Sequence, residues 1–340
     1  MSRLDVADEI LASCSGDGCV RLWGPQDGES ASSASPWGCI AMLDGHHTRT
    51  VRSCSWSPCG RMLASASFDR TVGIWEKTQT VGGNTRSITM ELAAVLEGHE
   101  NEVKGVAWNP NGTYIATCGR DKTVWIWESG PGNEYEVVDV KQNHTQDVKT
   151  VVWHPSGELL ASASYDDSIR LWVESDDEWE SLQTIQAPSG HQSTVWDVAF
   201  SRDGRYMASC SDDKTVKVWV RKEDHLTNGN SHSALYSAHA SVSGYHDRTI
   251  YSVDWSADGY LATGSADNCI KVFSVSGATS EAECTVSDQR CRLVCSIPEA
   301  HLNADVNCVR WHPRNPEILA SAGDDGVVKL WRIDKNHRVE

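Results

Sequence analysis

Serine, histidine and aspartate, the residue types of a catalytic triad, recur together along this 340-residue chain. In each of seven places a Ser or Thr stands four residues before an Asp, which stands six residues before an aromatic residue. The Asp–aromatic pairs are Asp17/Trp23, Asp69/Trp75, Asp121/Trp127, Asp166/Trp172, Asp213/Trp219, Asp267/Phe273 and Asp325/Trp331. A histidine precedes six of the seven copies, in GHHTRTV, GHENEV, NHTQDV, GHQSTV, YHDRTI and AHLNADV. These residue types could support nucleophilic catalysis or form a buried hydrogen-bond relay.

A structural relay explains the repetition better than catalysis. An Asp can bind a His ring, the His can bind the hydroxyl, and the hydroxyl can accept from the indole N–H of Trp. Seven parallel copies, six with a Trp at the anchor position and one with Phe273, favour a structural role in folding, so we predict no catalytic residue. The relay residues predicted in three of the copies are His99, Thr117, Asp121 and Trp127, then His144, Ser162, Asp166 and Trp172, then His191, Ser209, Asp213 and Trp219.

Each copy reads as four short strands. In the third copy VKGVAW alternates as an inner strand, NPNG is a turn, and TYIATC, TVWIW and YEVVDV supply the remaining strands. Copies spaced 45 to 58 residues apart indicate a repeat fold. The pattern resembles the WD-repeat family, which implies an all-β, seven-bladed WD-repeat β-propeller.

We predict a single propeller domain over residues 1–340, with copies ending near Trp23, Trp75, Trp127, Trp172, Trp219, Phe273 and Trp331. The first copy departs from the pattern. Eighteen residues separate His99 from Thr117, whereas only 12 residues precede Ser13. We therefore expect the first blade to lack its histidine and innermost strand, ring closure to be incomplete at the N-terminus, and the sequence to begin late.

Bulk composition excludes several function classes. A net charge of −17 opposes general binding to nucleic acid or to anionic membranes. The chain has no apolar run long enough to span a membrane and no apolar core of a signal peptide. We therefore expect a cytoplasmic location, with a nuclear location as an alternative. The 12 cysteines include no C-x-x-C pair, which predicts structural thiols, no metal site and no cofactor.

A basic and aromatic surface is expected where the Asp-bearing turns and the starts of the inner strands meet one face of the propeller. Arginine and aromatic side chains often anchor interfaces, and an acidic or aromatic-ended peptide would suit them. The alternative is that these cations only neutralise carboxylates such as Glu102 and Asp147. The predicted partner-binding residues are Arg52, Phe68, Lys104, Arg120, Lys149, Tyr165, Trp196, Arg248 and Tyr251.

The amino-acid sequences of the repeats carry more specific information than the general WD-repeat pattern. GHENEVKGVAWNPNGTYIATCGRDKTVWIWE, HTQDVKTVVWHPSGELLASASYDDSIRLW and HDRTIYSVDW closely resemble the cytosolic iron–sulfur assembly propeller. The last copy, VNCVRWHPRNPEILASAGDDGVVKLW, is also similar. In that family the arginine of the turn that is RDKTVWIW here is a functional surface residue, so the resemblance assigns that role to Arg120.

The resemblance implies a non-enzymatic scaffold of the cytosolic iron–sulfur targeting complex. Its expected partners are a small adaptor, a HEAT-repeat subunit and apo client proteins, to which the complex helps deliver [4Fe–4S] clusters in the cytosol and nucleus. A competing hypothesis is a substrate receptor or scaffold of a ubiquitin-ligase or chromatin complex, because the same fold serves many functions.

Overall fold

The computed structural model describes residues 4–7, 10–25, 37–78, 88–175, 178–222, 235–277 and 290–335. Over these ranges the chain forms 27 strands and no helix, and therefore no helix that could cross a bilayer. The strands form seven sheets, which confirms the all-β fold with seven blades. Residues 1–142 and 143–340 form two compact units. A single domain over 1–340 stays a prediction.

The first unit contains blades 1 to 3, each an antiparallel sheet whose strands follow sequence order. Blade 1 consists of β1 (Leu4–Ala7), β2 (Ile10–Cys14), β3 (Val20–Pro25) and β4 (Trp37–Leu43). Blade 2 consists of β5 (Val51–Trp56), β6 (Met62–Ser67), β7 (Val72–Thr78) and β8 (Thr89–Leu96). Blade 3 consists of β9 (Val103–Trp108), β10 (Tyr114–Gly119), β11 (Val124–Ser129) and β12 (Tyr135–Lys141).

The second unit contains blades 4 to 7, built in the same way. Blade 4 consists of β13 (Val148–Trp153), β14 (Leu159–Ser164), β15 (Ile169–Ser175) and β16 (Glu178–Ile185). Blade 5 consists of β17 (Val195–Phe200), β18 (Tyr206–Ser211), β19 (Val216–Arg221) and β20 (Tyr236–Val242). Blade 6 consists of β21 (Ile250–Trp255), β22 (Tyr260–Ser265), β23 (Ile270–Val275) and β24 (Cys291–Ile297). Blade 7 consists of β25 (Val306–Trp311), β26 (Ile318–Gly323) and β27 (Val328–Arg332).

Blade 1 corrects one expectation from the sequence. The innermost strand predicted to be missing is present as β1, which pairs antiparallel with β2 from Leu4 opposite Ser13 to Ala7 opposite Ile10. The short segment before Ser13 is sufficient because a strand of four residues already pairs with β2. Blade 7 has three strands within the described part of the chain. Ring closure stays a prediction.

The second strand of each blade lies inside its sheet and is buried on both faces. In β10 every residue from Ile115 to Gly119 is buried, whereas the flanking β9 and β11 mix buried residues with half-buried or exposed ones. Blades 2 and 3 pack through Ile74, Val103 and Trp127, which are at most 4% exposed. Burial of this apolar surface supplies the main driving force for the sheets to stack.

Tight turns between the second and third strands hold the Asp residues in place. In blade 3 Lys122, directly after Asp121, adopts a left-handed φ of 69°, and the same turn position holds Gly18 in blade 1 and Gly326 in blade 7. The N–H of Arg120 donates to the carbonyl of Glu102 at 2.8 Å, which ties the turn to the loop before β9. The turn therefore fixes both Asp121 and its neighbour Arg120.

Candidate protein interface

The relay residues of blade 3 form a continuous hydrogen-bonded chain. The Nδ1 of His99 lies 2.6 Å from Asp121 Oδ2, and its Nε2 lies 2.8 Å from Thr117 Oγ1. The indole N–H of Trp127 donates to the same Thr117 oxygen at 3.0 Å. Because a carboxylate can only accept, the His99 Nδ1–H donates to Asp121, and Nε2 shares a hydrogen bond with the threonine hydroxyl. A hydroxyl bonded on both sides inside the sheet is not an exposed nucleophile.

Blades 2, 4, 5 and 7 repeat this geometry. The His–Asp distances are 2.9 Å for His47/Asp69, His144/Asp166, His191/Asp213 and His301/Asp325. The Trp–Ser distances are 2.8 Å for Trp75/Ser65, Trp172/Ser162 and Trp331/Ser321, and 3.1 Å for Trp219/Ser209. In blade 6 His246 bonds Asp267 and Thr263, and Phe273 replaces the indole.

Two blades show how the relay tolerates change. In blade 1, which has no relay histidine in its sequence, Asp17 instead forms an ion pair with Arg21 at 2.7 Å. The hydrogen bond from Arg21 within this ion pair is the main reason why the pKa of Asp17 is lowered. In blade 3 a further member that spacing alone did not reveal is Thr123, whose hydroxyl donates to Asp121 Oδ1 at 2.6 Å. The signal for it is the Ser or Thr two residues after most of the aspartates.

The relay holds its aspartates in the charged form. Burial by itself raises the pKa of each carboxyl, but the histidine bond and the backbone N–H donors outweigh burial. The pKa of Asp267 falls from 3.8 to about 2, and the pKa of Asp121 is lowered in the same way by His99 and Thr123.

Outside the relay, an arginine cluster made of Arg49, Glu102 and Arg120 lies in the first unit. Glu102 Oε1 accepts from Arg49 Nη2 at 2.9 Å, and its Oε2 accepts from Arg120 Nη1 at 3.3 Å. The glutamate side chain is only 13% exposed, whereas the two arginine side chains are 54% and 55% exposed. One largely buried carboxylate therefore pairs with two exposed guanidinium groups.

This arrangement changes the expectation for Arg120, which the sequence analysis tied to a partner surface. Glu102 pairs with Arg120, as the charge-neutralising alternative supposes, but it serves Arg49 as well. The two arginines outweigh burial and lower the pKa of Glu102, so it stays charged. The cluster thus keeps a net charge of one positive on its exposed side. Each arginine can donate further N–H groups outward, because a guanidinium has five.

The other predicted residues of the first unit are one neighbour of the arginine cluster, Phe68, and two residues on inner strands, Arg52 and Lys104. Arg49 Nη1 donates to the carbonyl of Phe68 at 2.7 Å and its guanidinium lies 5.9 Å from the Phe68 ring. Phe68 is half-buried in the turn after β6. Arg52 and Lys104 are half-buried on β5 and β9. The structure therefore joins Phe68 to the arginine cluster through Arg49.

The second unit holds an aromatic cluster of Lys149, Tyr165, Trp196 and Tyr251. The Lys149 ammonium lies 4.9 Å from the centre of the Tyr165 ring and 4.6 Å from that of Trp196. Trp196 meets Tyr251 edge-on at 5.0 Å. Tyr165 is 53% exposed. Four of the nine residues predicted to bind partners thus form one cation–aromatic surface.

Arg248 is exposed near the start of β21. Its Nη1 donates to the carbonyl of Ala266 at 2.7 Å and lies 3.5 Å from Asp305. Arg248 thus bonds the residue just before Asp267 in the turn of blade 6. Arg49 makes the equivalent bond in blade 2, to Phe68 just before Asp69.

Comparison with known proteins identifies the family. The family described as "WD domain, G-beta repeat" matches residues 4–24, 37–76, 90–128, 136–173, 179–220, 236–274 and 289–332. "Protein CIA1" of Arabidopsis thaliana is 46% identical over 98% of this chain and 90% of its own length. The "Probable cytosolic iron-sulfur protein assembly protein 1" of Vanderwaltozyma polyspora is 41% identical over 85% of this chain and 82% of its own length. The chain belongs to this family of WD-repeat proteins.

Within this WD-repeat chain, sequence reasoning missed the residues that organise the arginine cluster. Arg49 is not among the predicted partner-binding residues, and the sequence suggests only a charge-neutralising role for Glu102. Glu102 lies 18 residues before Arg120 and 53 residues after Arg49, so no local period connects them. Their link depends on the stacking of blades 2 and 3.

Proposed function

We propose that this chain is a non-enzymatic scaffold in cytosolic iron–sulfur protein assembly. The observation that carries the proposal is the likeness, over 85% and 95% of the chain, to two proteins named for that process. In the finer form of the proposal, the chain works in the cytosolic targeting complex. There it helps deliver [4Fe–4S] clusters to apoproteins of the cytosol and nucleus.

The chemistry of the repeats supports a scaffold rather than an enzyme. The hydroxyl groups that a catalytic triad would need are fully buried: Thr117, Ser162 and Ser209 are all at 0% exposure. Each is hydrogen-bonded to a histidine and a tryptophan, so none can reach a substrate. Within the described ranges no three His, Cys, Asp or Glu side chains are placed to hold a metal ion. In this proposal the [4Fe–4S] cluster is cargo of the complex.

The arginine and aromatic clusters are the proposed docking surfaces. On a chain of net charge −17, the two exposed guanidinium groups over Glu102 form a local positive site. An acidic segment of a partner can pair with them through several N–H groups, which gives orientation as well as attraction. The proposed partners are a small adaptor, a HEAT-repeat subunit and apo iron–sulfur client proteins.

Affinity capture from cytosol tests this proposal, with Arg120→Glu as the variant. Reversing the charge places a second carboxylate beside Glu102 and leaves Arg49 as the one positive charge of the cluster, so we expect partner recovery to fall about tenfold or more. The matched control is Arg61→Glu, because Arg61 is also exposed and also pairs with one glutamate, Glu76, at 3.1 Å.

The proposal predicts that the unmodified chain and Arg61→Glu recover the adaptor, the HEAT-repeat subunit and client enzymes, while Arg120→Glu does not. Recovery of ubiquitin-ligase or chromatin subunits by the unmodified chain would contradict the proposed function. Equal losses for both variants would contradict the assignment of the docking surface to Arg120.

A further inference from the structure

The innermost strands of blades 5, 6 and 7 each bring a charged residue to one place in the second unit. Asp197 lies on β17, Asp254 on β21 and Arg310 on β25. The two terminal nitrogens of Arg310 lie 3.2 and 3.1 Å from Asp197 Oδ2. The Asp197 side chain is 3% exposed and the Arg310 side chain 17%, so this ion pair lies almost entirely out of water.

Polar groups of the same strands complete the site around Arg310. Its Nη1 donates to Ser252 Oγ at 3.0 Å, and Ser252 Oγ donates to Asp197 Oδ2 at 3.1 Å. The same nitrogen lies 2.8 Å from the carbonyl of Val309 and 3.3 Å from that of Val253. The guanidinium thus ties three strands together, and a desolvated ion pair of this kind is stable only when such bonds are satisfied.

Asp254 is the second carboxylate of this site, and it is held from a different side. Its Oδ2 accepts a hydrogen bond from the backbone N–H of Trp311 at 2.6 Å. Asp254 also interacts electrostatically with both Arg310 and Asp197, so two carboxylates share the single positive charge of Arg310. When both are ionised, the network carries one excess negative charge in a region with little water, where like charges repel strongly.

We propose that Asp197, Asp254 and Arg310 form a proton-sensitive junction between the innermost strands of blades 5, 6 and 7, in which Asp254 takes up one proton and the junction becomes stronger. Protonation removes the excess charge and leaves the Arg310–Asp197 pair intact. The protonated carboxyl keeps a carbonyl oxygen that accepts from Trp311.

The electrostatics of Asp254 agree with this geometry. The pKa of Asp254 is raised from 3.8 to about 6. Burial is the main cause and Asp197 adds to it, while Arg310 and the Trp311 N–H act in the opposite direction. Cys308, the neighbouring titratable group on β25, acts on Arg310. Because the folded pKa lies above the unfolded one, the folded state binds the proton first as pH falls. The junction therefore gains stability between about pH 7 and pH 4.

A spectroscopic titration tests the junction without changing its residues. The backbone amide of Trp311 in the full chain is followed by nitrogen–proton NMR from pH 8 to pH 5. The expected result is a chemical shift change with a midpoint near pH 6, which disappears in Asp254→Asn. A Trp311 amide that does not respond over this range, or that responds equally in Asp254→Asn, overturns the proposal.

Thermal unfolding gives an independent readout. Asn imitates the protonated Asp254, so Asp254→Asn should melt above the unmodified chain at pH 8, and the gap should close by pH 5. The control is Asp247→Asn, which removes the same charge from an exposed position and should give a small change that does not depend on pH. If Asp254→Asn melts below the unmodified chain at pH 8, the ionised Asp254 does not weaken the junction and the proposal is wrong.

Discussion

Replacing Thr117 by Val tests the claim that the Ser–His–Asp–Trp sets stabilise the fold. Valine keeps the shape of threonine and removes only the hydroxyl, which is fully buried. The change leaves two groups without a partner, His99 Nε2 and the Trp127 indole N–H, which now lie 2.8 and 3.0 Å from the oxygen. Each buried unsatisfied group costs about 1–3 kcal/mol, so the free energy of unfolding should fall by about 2–6 kcal/mol.

Urea unfolding followed by tryptophan fluorescence measures this loss. A loss of about 3 kcal/mol with a slope of about 3 kcal/mol per M lowers the midpoint by about 1 M. Two variants serve as controls. Thr113→Val makes the same change at an exposed position just before β10 and should stay within about 0.5 kcal/mol of the unmodified chain. Thr117→Ser keeps the hydroxyl and should cost about 1 kcal/mol. If Thr117→Val unfolds at the same urea concentration as Thr113→Val, the relay contributes nothing and the reasoning fails.

Two further predictions concern acid and packing. Because the pKa of Asp267 falls from 3.8 to about 2 through His246, its stabilisation is present above about pH 4 and is lost as pH drops toward 2. Asp267→Asn should therefore unfold more easily at pH 7 and lose less stability between pH 4 and 2 in urea titrations; an unchanged pH slope would contradict this. Gly204 has a φ of +69°, and an added Cβ would lie 2.1 Å from His154 Nε2, so Gly204→Ala should cost at least about 3 kcal/mol in urea unfolding. Gly244→Ala, with a φ of +78° and open space around it, should cost only about 1–2 kcal/mol, and equal losses would show that the contact with His154 does not matter.

Local features of the fold could be predicted because they depend on short-range patterns. Alternation in VKGVAW matches β9 to the residue, and all of the TVWIW segment except Thr123 lies on β11, with the tight turn before it. Spacing likewise picked out His99, Thr117 and Trp127, which the structure joins. Hydrophobic periodicity and turn chemistry act over a few residues, so the sequence carries them directly.

The rest depends on contacts between blades, which no local pattern encodes. Arg310 and Asp197 are 113 residues apart, and the three strands that bring them together share no charge motif in the sequence. Glu102 joins Arg49 to Arg120 for the same reason. The strand β1 was missed on different grounds: counting back a full copy length from Ser13 assumes six-residue strands, whereas four paired residues suffice.

The central claim is that this chain serves cytosolic iron–sulfur assembly through protein docking. The most direct measurement is incorporation of radioactive iron into a cytosolic iron–sulfur enzyme, in cells whose own homologue is depleted and replaced by this chain. The account predicts that the unmodified chain restores incorporation, and that Arg120→Glu fails to do so although it is present at the same level and unfolds at the same urea concentration. Normal incorporation in depleted cells without the chain, or full rescue by Arg120→Glu, would contradict the account.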